Sequence, residues 1–251
     1  MKKILLLTGV LLALTASAAL AQPFSLDMAW NNCRTNPTGW AIDISDPCTS
    51  NSGSYPFYMS FIAPAGISKL TSEKFLLDVQ TNQATLPDWW HLETGGCRPT
   101  GFSFSTTPGV DQTNCFDYWG TTPRGGTVNW YPGTGGPGRS RLIGIYSVSA
   151  GLAAPLYDPY PYYVGSAAIY KVKTVNAALP PPGVIACAGC AFPANLCFNY
   201  LLLQQPAGTP NGDMSTELAH ISRVITWQGG IDPLATATRR ATWGQVKSMY
   251  R

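Results

Sequence analysis

The sequence predicts an all-β protein: an antiparallel β-sandwich or jelly roll, stapled by disulfides, with at most one or two short helices. Three observations predict this fold. Glycine and proline supply 25 and 21 of the 251 residues, which favours turns and short strands. Several short segments alternate apolar and polar residues, the period of a strand with one buried face. Seven cysteines follow a leader that is typical of exported proteins.

The first 21 residues have the layout of a cleavable secretory signal. Lys2 and Lys3 precede an apolar run, and Ala19 and Ala21 are the small residues before the predicted cut. The run is too short to span a bilayer comfortably, so we expect no membrane span after cleavage. We expect residues 1–21 to be the signal, 22–235 one β-sandwich domain, and 236–251 a C-terminal tail or short docking helix. The expected location is secreted, periplasmic or cell-surface, in a bacterium.

Charge gives little indication of a polyanionic partner. Loss of Lys2 and Lys3 with the signal lowers the Lys and Arg count from 16 to 14, against 13 acidic residues. A protein so close to neutral lacks the electrostatic excess typical of nucleic-acid or anionic-membrane binding. We therefore expect no nucleic-acid partner.

Eight segments have the pattern of strands, and turn-rich stretches such as 120–138 separate them. The first, WAIDI, alternates cleanly, and the second, FYMSFIA, is followed by the turn signal Pro-Ala-Gly. The fifth places Lys171 and Lys173 on one face and Tyr170 and Val172 on the other, as expected for a half-buried strand. The predicted strands span residues 40–44, 57–63, 75–79, 142–148, 163–175, 184–187, 196–203 and 223–227.

The segment 184–203, VIACAGCAFPANLCFNYLLL, is the most apolar stretch after the leader. From Leu196 the residues alternate with a period of two, and both faces of the segment are mostly apolar. We therefore predict a central strand over 196–203, held at its start by cysteine chemistry.

Two segments have helical spacing. Residues 213–222 place Met214, Leu218 and Ile221 on one side of a short helix, although a hairpin arm fits nearly as well. Residues 241–250 have an apolar face as well, and a helix of about ten residues must dock to be stable.

The seven cysteines imply disulfides, and the odd count leaves at least one outside any bond within the chain. They are Cys33, Cys48, Cys97, Cys115, Cys187, Cys190 and Cys197. Because short loops close easily, neighbour pairing is the simplest prediction: Cys33 with Cys48, Cys97 with Cys115, and a third bond among the last three.

The trio Cys187, Cys190 and Cys197 admits two other interpretations. A Cys-x-x-Cys redox pair requires a helix after the second cysteine, and a strand is predicted here instead. A zinc site requires a fourth ligand, and His91 and His220 are the only histidines. A structural disulfide with one remaining thiol is therefore favoured, and no metal or other cofactor is expected.

No nucleophile elbow, HExxH sequence, phosphate loop or dinucleotide fingerprint occurs. A Ser–His–Asp triad would need His91 or His220, and neither lies in a recognisable motif. Any two of the thirteen acids that converged in the fold, with His91 nearby, would form a glycosidase pair, so a secreted hydrolase is an alternative.

Aromatic residues are the best candidates for binding. On an extended segment Trp89 and Trp90 point to opposite faces, and one of them beside His91 would offer a sugar a stacking platform next to polar groups. Core packing of both rings around a Cys97–Cys115 disulfide is the simpler interpretation. Tyr160 and Tyr162 belong to a proline-rich aromatic loop, and Trp130 lies in a glycine-rich region; these are the remaining candidates.

We therefore predict an exported, non-catalytic binding or structural module that binds glycans through exposed tryptophan and tyrosine. The expected partner is a polysaccharide or another extracellular protein. The alternatives are the hydrolase and an assembly or adhesion subunit.

Overall fold

The computed structural model describes residues 24–33, 42–107, 115–157, 160–177, 183–216 and 224–230. The predicted signal 1–21 and the predicted C-terminal helix 241–250 lie outside them. Within the described residues the protein is nearly all-β, as predicted, with two 3₁₀ helices at Asp88–Trp90 and Ala150–Leu152. No helix in these ranges is long and apolar enough to cross a membrane. The strands are β1 Ser25–Trp30, β2 Asp43–Ile44, β3 Ser54–Ile62, β4 Ser72–Thr81, β5 Phe102–Ser105, β6 Gly125–Pro132, β7 Arg139–Ser147, β8 Pro161–Tyr170, β9 Ala194–Gln204, β10 Met214–Ser215 and β11 Val224–Trp227.

The strands form two sheets that pack as a sandwich. One has the order β1-β3-β8-β5, and all its pairs are antiparallel. The other has the order β2-β11-β9-β4-β7-β6, and β10 also pairs with β9. The β2–β11 pair is parallel, and the other pairs of this sheet are antiparallel. Alternate residues of both sheets face inwards into one buried apolar cluster, as expected of a sandwich core.

β9 is the central strand that the sequence predicts, with β4 on one side and β11 and β10 on the other. The simple alternation does not continue along it. Leu76 pairs with Tyr200 and Leu77 with Phe198, so Asn199 is an extra residue on β9. This bulge shifts the inward-facing series, and Leu201 rather than Tyr200 is fully buried.

The predicted disulfide pairing is wrong, although one cysteine of the C-terminal trio does lie outside the disulfides. The bonds are Cys33–Cys115, Cys48–Cys190 and Cys97–Cys187. They span 82, 142 and 90 residues, so the ease of closing short loops did not decide the pairing. Strand pairing explains the third bond: β5 pairs with β8, which brings the segment before β5 beside the segment after β8.

The seventh cysteine, Cys197, is buried on β9 and lies outside these three disulfides.

Other differences from the sequence prediction are local. β1, β5 and β6 were not predicted, and β6 occupies part of the segment read as turns. The strand predicted to reach residue 175 ends at Tyr170, and Lys173 has a φ of 55° that a strand does not accommodate. Met214 and Ser215 pair with β9, which agrees with a hairpin arm rather than a helix; residues 217–223 are not described.

Candidate functional site

A cleft of about 610 Å³ lies between β5 and β6. These are the end strands of the two sheets, so the cleft occupies one open side of the sandwich. We call it the β5–β6 cleft. Its lining residues are Leu92, Glu93, Thr94, Phe102, Ser103, Phe104, Val128, Asn129, Trp130, Tyr131, Pro132, Leu142 and Tyr146.

Alternation along both strands provides the aromatic floor of the cleft. In β5 the sequence Phe-Ser-Phe-Ser points Phe102 and Phe104 towards the core and leaves the serines exposed. In β6 Trp130 is half-buried, whereas its neighbours Asn129 and Tyr131 are exposed.

Ring contacts across the two sheets hold this floor in place. Phe102 and Trp130 lie with ring centroids 5.4 Å apart, which joins the first sheet to the second. Phe104 stacks on Tyr146 at 5.6 Å and on Phe75 of β4 at 5.0 Å. Such contacts add to the stability that burial of the rings already provides. The floor therefore packs directly against the hydrophobic core.

Glu93 brings a carboxylate to the rim of the cleft. It lies on the crossing segment between β4 and β5, just after the 3₁₀ helix Asp88–Trp90. Its Oε1 lies 2.7 Å from Nδ1 of His91, and its side chain is 20% exposed. Its Oε2 is shielded from solvent and has no hydrogen-bond partner among the described residues. Trp130 Nε1 is likewise shielded from solvent and has no hydrogen-bond partner among the described residues.

A second polar group, Tyr146, stays neutral. Burial, with nearby Glu73 as a further cause, raises the pKa of Tyr146 to about 12. Its hydroxyl is therefore a hydrogen-bonding group and not an anion at neutral pH. Among the described lining residues Glu93 is the one acid, and none is lysine or arginine.

The structure places Trp89 and Trp90 in the core, with both side chains fully buried. They lie in a 3₁₀ helix and not on an extended segment, so they do not form an exposed platform. With Trp30 and Trp227 they make a tryptophan cluster in which the Trp89 and Trp227 rings stack at 4.9 Å. Core packing, the simpler interpretation, describes both rings, and the predicted Cys97–Cys115 bond is absent because Cys97 is bonded to Cys187.

Arg98 completes this cluster. Its guanidinium lies 3.6 Å from the centre of the Trp89 ring and donates to the carbonyl oxygens of Trp89, Tyr170 and Val172. Burial lowers its pKa to about 9. Its N–H groups are thus committed to backbone oxygens.

Of the remaining predicted binding residues, two lie at the cleft and two do not. Trp130 lines the cleft, and His91 adjoins it through Glu93. Tyr162 is 1% exposed, and its hydroxyl accepts from the backbone N–H and donates to the carbonyl of Tyr157. Tyr160 is 59% exposed but precedes β8 at the end away from the cleft, about 20 Å along the strand.

Sequence reasoning missed Phe102 and Phe104. Their signal was the alternation Phe-Ser-Phe-Ser after Gly101, which at four residues is short for a strand prediction.

Among the described residues Asp46, Cys48 and Cys190 form one compact acid and cysteine group. The two sulfurs are bonded to each other and offer no thiolate. The carboxylate of Asp46 accepts hydrogen bonds from Tyr55 and from Lys171 Nζ at 2.9 Å. Burial, which would raise the pKa of Asp46, is outweighed by these bonds, and its pKa lies below the usual value. The group is a structural ion pair beside a disulfide.

Comparison with family models finds no match, and neither does comparison with curated proteins. Among solved structures, a cohesin module from a family 33 glycoside hydrolase of Clostridium perfringens is similar, with a TM-score of 0.36 and 8% sequence identity. The alignment covers 81% of this chain and 96% of the module. A likeness at this level supports no conclusion about function.

Proposed function

We propose that the protein is an exported, non-catalytic binding module and that its β5–β6 cleft binds a glycan. The observation that carries this proposal is the composition of the cleft: an aromatic floor with polar groups at its rim. Aromatic rings pack against the C–H faces of sugar rings, and rim hydroxyl, amide and carboxylate groups hydrogen-bond sugar hydroxyls. Trp130 supplies the ring and Glu93 the carboxylate, and Asn129 also borders the cleft.

The number of carboxylates that line the cleft favours a binding role over hydrolysis. Glycosidases of the common type place two carboxylates on either side of the scissile bond. Glu93 is the one carboxylate among the described lining residues, so the cleft lacks the second group there. For hydrolysis in this cleft, the second carboxylate would have to come from outside the described lining residues.

Export is supported by the disulfides and by the leader. Three disulfides join six of the seven cysteines, and such bonds persist in oxidising compartments outside the cytosol. Together with the signal-like first 21 residues this supports a secreted, periplasmic or cell-surface location.

The test is binding to a panel of polysaccharides, followed by tryptophan fluorescence and by affinity electrophoresis. For a polysaccharide that binds, we expect Trp130→Ala to weaken affinity about five- to thirtyfold, since a stacked aromatic face contributes about 1 to 2 kcal/mol.

The matched control is Tyr160→Ala, which removes an exposed ring outside the cleft and should leave affinity unchanged. Melting temperatures of both variants would show that the fold is retained. Equal affinity of Trp130→Ala and the unmodified protein, or no binding to any polysaccharide, would contradict the proposal.

A further inference from the structure

We propose that Glu93 makes the β5–β6 cleft selective for a glycan that carries free amino groups over one that carries carboxylates. This inference rests on the proposed function, because it concerns the class of glycan that the same cleft takes. Its basis is the charge of the cleft together with the incomplete hydrogen bonding of one carboxylate.

The charge of the cleft is one-sided. Glu93 is the one ionisable acid among the described lining residues, and no lysine or arginine accompanies it there. His91 is the basic group that contacts Glu93. Two other basic groups of neighbouring segments are engaged elsewhere: Arg98 donates to three backbone carbonyls, and Lys173 Nζ lies 2.9 Å from the carbonyl oxygen of Cys97. An anionic sugar would therefore meet a carboxylate with no lysine or arginine beside it among the described lining residues, and the imidazole of His91 is already bound to that carboxylate.

The hydrogen bonding of Glu93 is half complete. Oε1 has His91 Nδ1 at 2.7 Å, whereas Oε2 has no partner among the described residues. A shielded carboxylate oxygen without a donor is costly, so a donor supplied by a ligand, directly or through one water molecule, is favoured. Gly96 lies against this carboxylate: a Cβ there would meet Oε1 at 2.8 Å, so the absence of a side chain at Gly96 leaves the space in which the carboxylate lies.

A protonated amine is the sugar substituent that satisfies this oxygen best. An ammonium group offers three N–H donors and a full positive charge, and charge-assisted hydrogen bonds are about twice as strong as neutral ones. A hydroxyl offers one neutral donor, and acetylation of the amine removes its charge. The ligand class is therefore a polymer that contains unacetylated hexosamine.

The test uses β-1,4-linked hexamers of glucose, glucosamine and glucuronate, which differ in one substituent per ring. Binding is measured by calorimetry at mildly acidic pH, where the amines carry a charge and the uronates are ionised. We expect the glucosamine hexamer to bind about tenfold more tightly than the glucose hexamer, and the glucuronate hexamer to bind most weakly.

Glu93→Gln should bring the affinities for glucose and glucosamine hexamers within about twofold of each other, because the amide keeps the shape but not the charge. Asp88→Asn is the matched control: Asp88 is exposed on the same segment and does not line the cleft, so selectivity should be retained. Melting temperatures would confirm that both variants fold.

Two results are distinguishable. Equal binding of the glucose and glucosamine hexamers, or a preference that survives Glu93→Gln, would overturn the inference and leave glycan binding intact. No binding of any hexamer, together with no binding in the polysaccharide panel, would overturn the proposed function itself.

Discussion

Glu73 is an acid in the apolar core, where it is 1% exposed. It accepts a hydrogen bond from the hydroxyl of Tyr118 and lies beside Tyr146 in the register of β4 and β7. Burial raises the pKa of Glu73 to about 8, which outweighs the hydrogen bond from Tyr118 and the charge of Arg124; the charge of Asp117 adds to the rise. The carboxyl is therefore mostly protonated in the folded protein at neutral pH.

The pKa of Glu73 predicts a pH dependence of stability. Between its ordinary pKa of 4.5 and about 8, the folded protein holds a proton that the unfolded chain releases. The contribution of Glu73 to the free energy of unfolding therefore falls as pH rises through this window and levels off above it. We expect Glu73→Gln to gain stability relative to the unmodified protein by up to about 1.4 kcal/mol per pH unit there. Urea denaturation across this range would measure it. Asp88→Asn should give a curve parallel to that of the unmodified protein; a parallel curve for Glu73→Gln would refute the prediction.

Between β4 and β7, an aromatic ring lies directly over a glycine. Phe75 of β4 pairs with Gly144 of β7, and a methyl group added at Gly144 would overlap the Phe75 ring. We expect Gly144→Ala to lower the free energy of unfolding by about 1 to 3 kcal/mol, because the ring must leave its position against Phe104 and Tyr146. Thermal and urea denaturation would measure the loss.

Gly125→Ala on β6 is the matched control for this substitution, since a methyl group there meets open space. It should change stability by a few tenths of a kcal/mol at most. In addition, Phe75→Leu should reduce the cost of Gly144→Ala, because the smaller side chain leaves room for the methyl group. Equal losses of unfolding free energy for Gly144→Ala and Gly125→Ala would show that the Phe75 ring does not restrict the space at Gly144.

Much of the fold could be predicted from alternation in the sequence, and the exceptions have physical causes. β3, β4, β7, β8, β9 and β11 have an apolar pattern that tertiary packing reinforces, so the prediction of a sandwich is confirmed. β6 begins with Gly125 and Gly126 and lies at a sheet end, so little of it is buried and its pattern is weak. The bulge at Asn199 depends on the register with β4, which no local pattern contains.

The candidate site was predictable only in part, because it joins segments that are distant in the chain. Aromatic composition pointed to Trp130 and to the region of His91. The cleft itself depends on β5 and β6 ending their sheets on the same side, which is a property of topology. The burial of Trp89 and Trp90 depends on a 3₁₀ turn that packs them against Trp227, more than 130 residues away.

At the scale of the whole molecule, the three disulfides connect distant parts of the chain. Cys97–Cys187 encloses a loop of about 90 residues that contains β5, β6, β7 and β8 and therefore both walls of the cleft. On the chain-entropy model, a bond that closes a loop of this size stabilises the fold by about 4 to 5 kcal/mol, and removal of a native disulfide costs about 2 to 5 kcal/mol.

These bonds give the last prediction. The paired substitution Cys97→Ser/Cys187→Ser should lower the free energy of unfolding by about 2 to 5 kcal/mol and weaken binding in the cleft, because Cys97 ends the short segment that carries Glu93.

Non-reducing peptide mapping of the unmodified protein would first establish the three pairs, and alkylation of the denatured, unreduced chain should label one thiol, since six cysteines are bonded. Thr49→Ala, at an exposed position beside Cys48, is the control for substitution in a disulfide-bearing loop and should leave stability unchanged. Peptides that link Cys33 to Cys48, or Cys97 to Cys115, would instead show that the chain closes its short loops, and the path of both cleft walls would then have to differ.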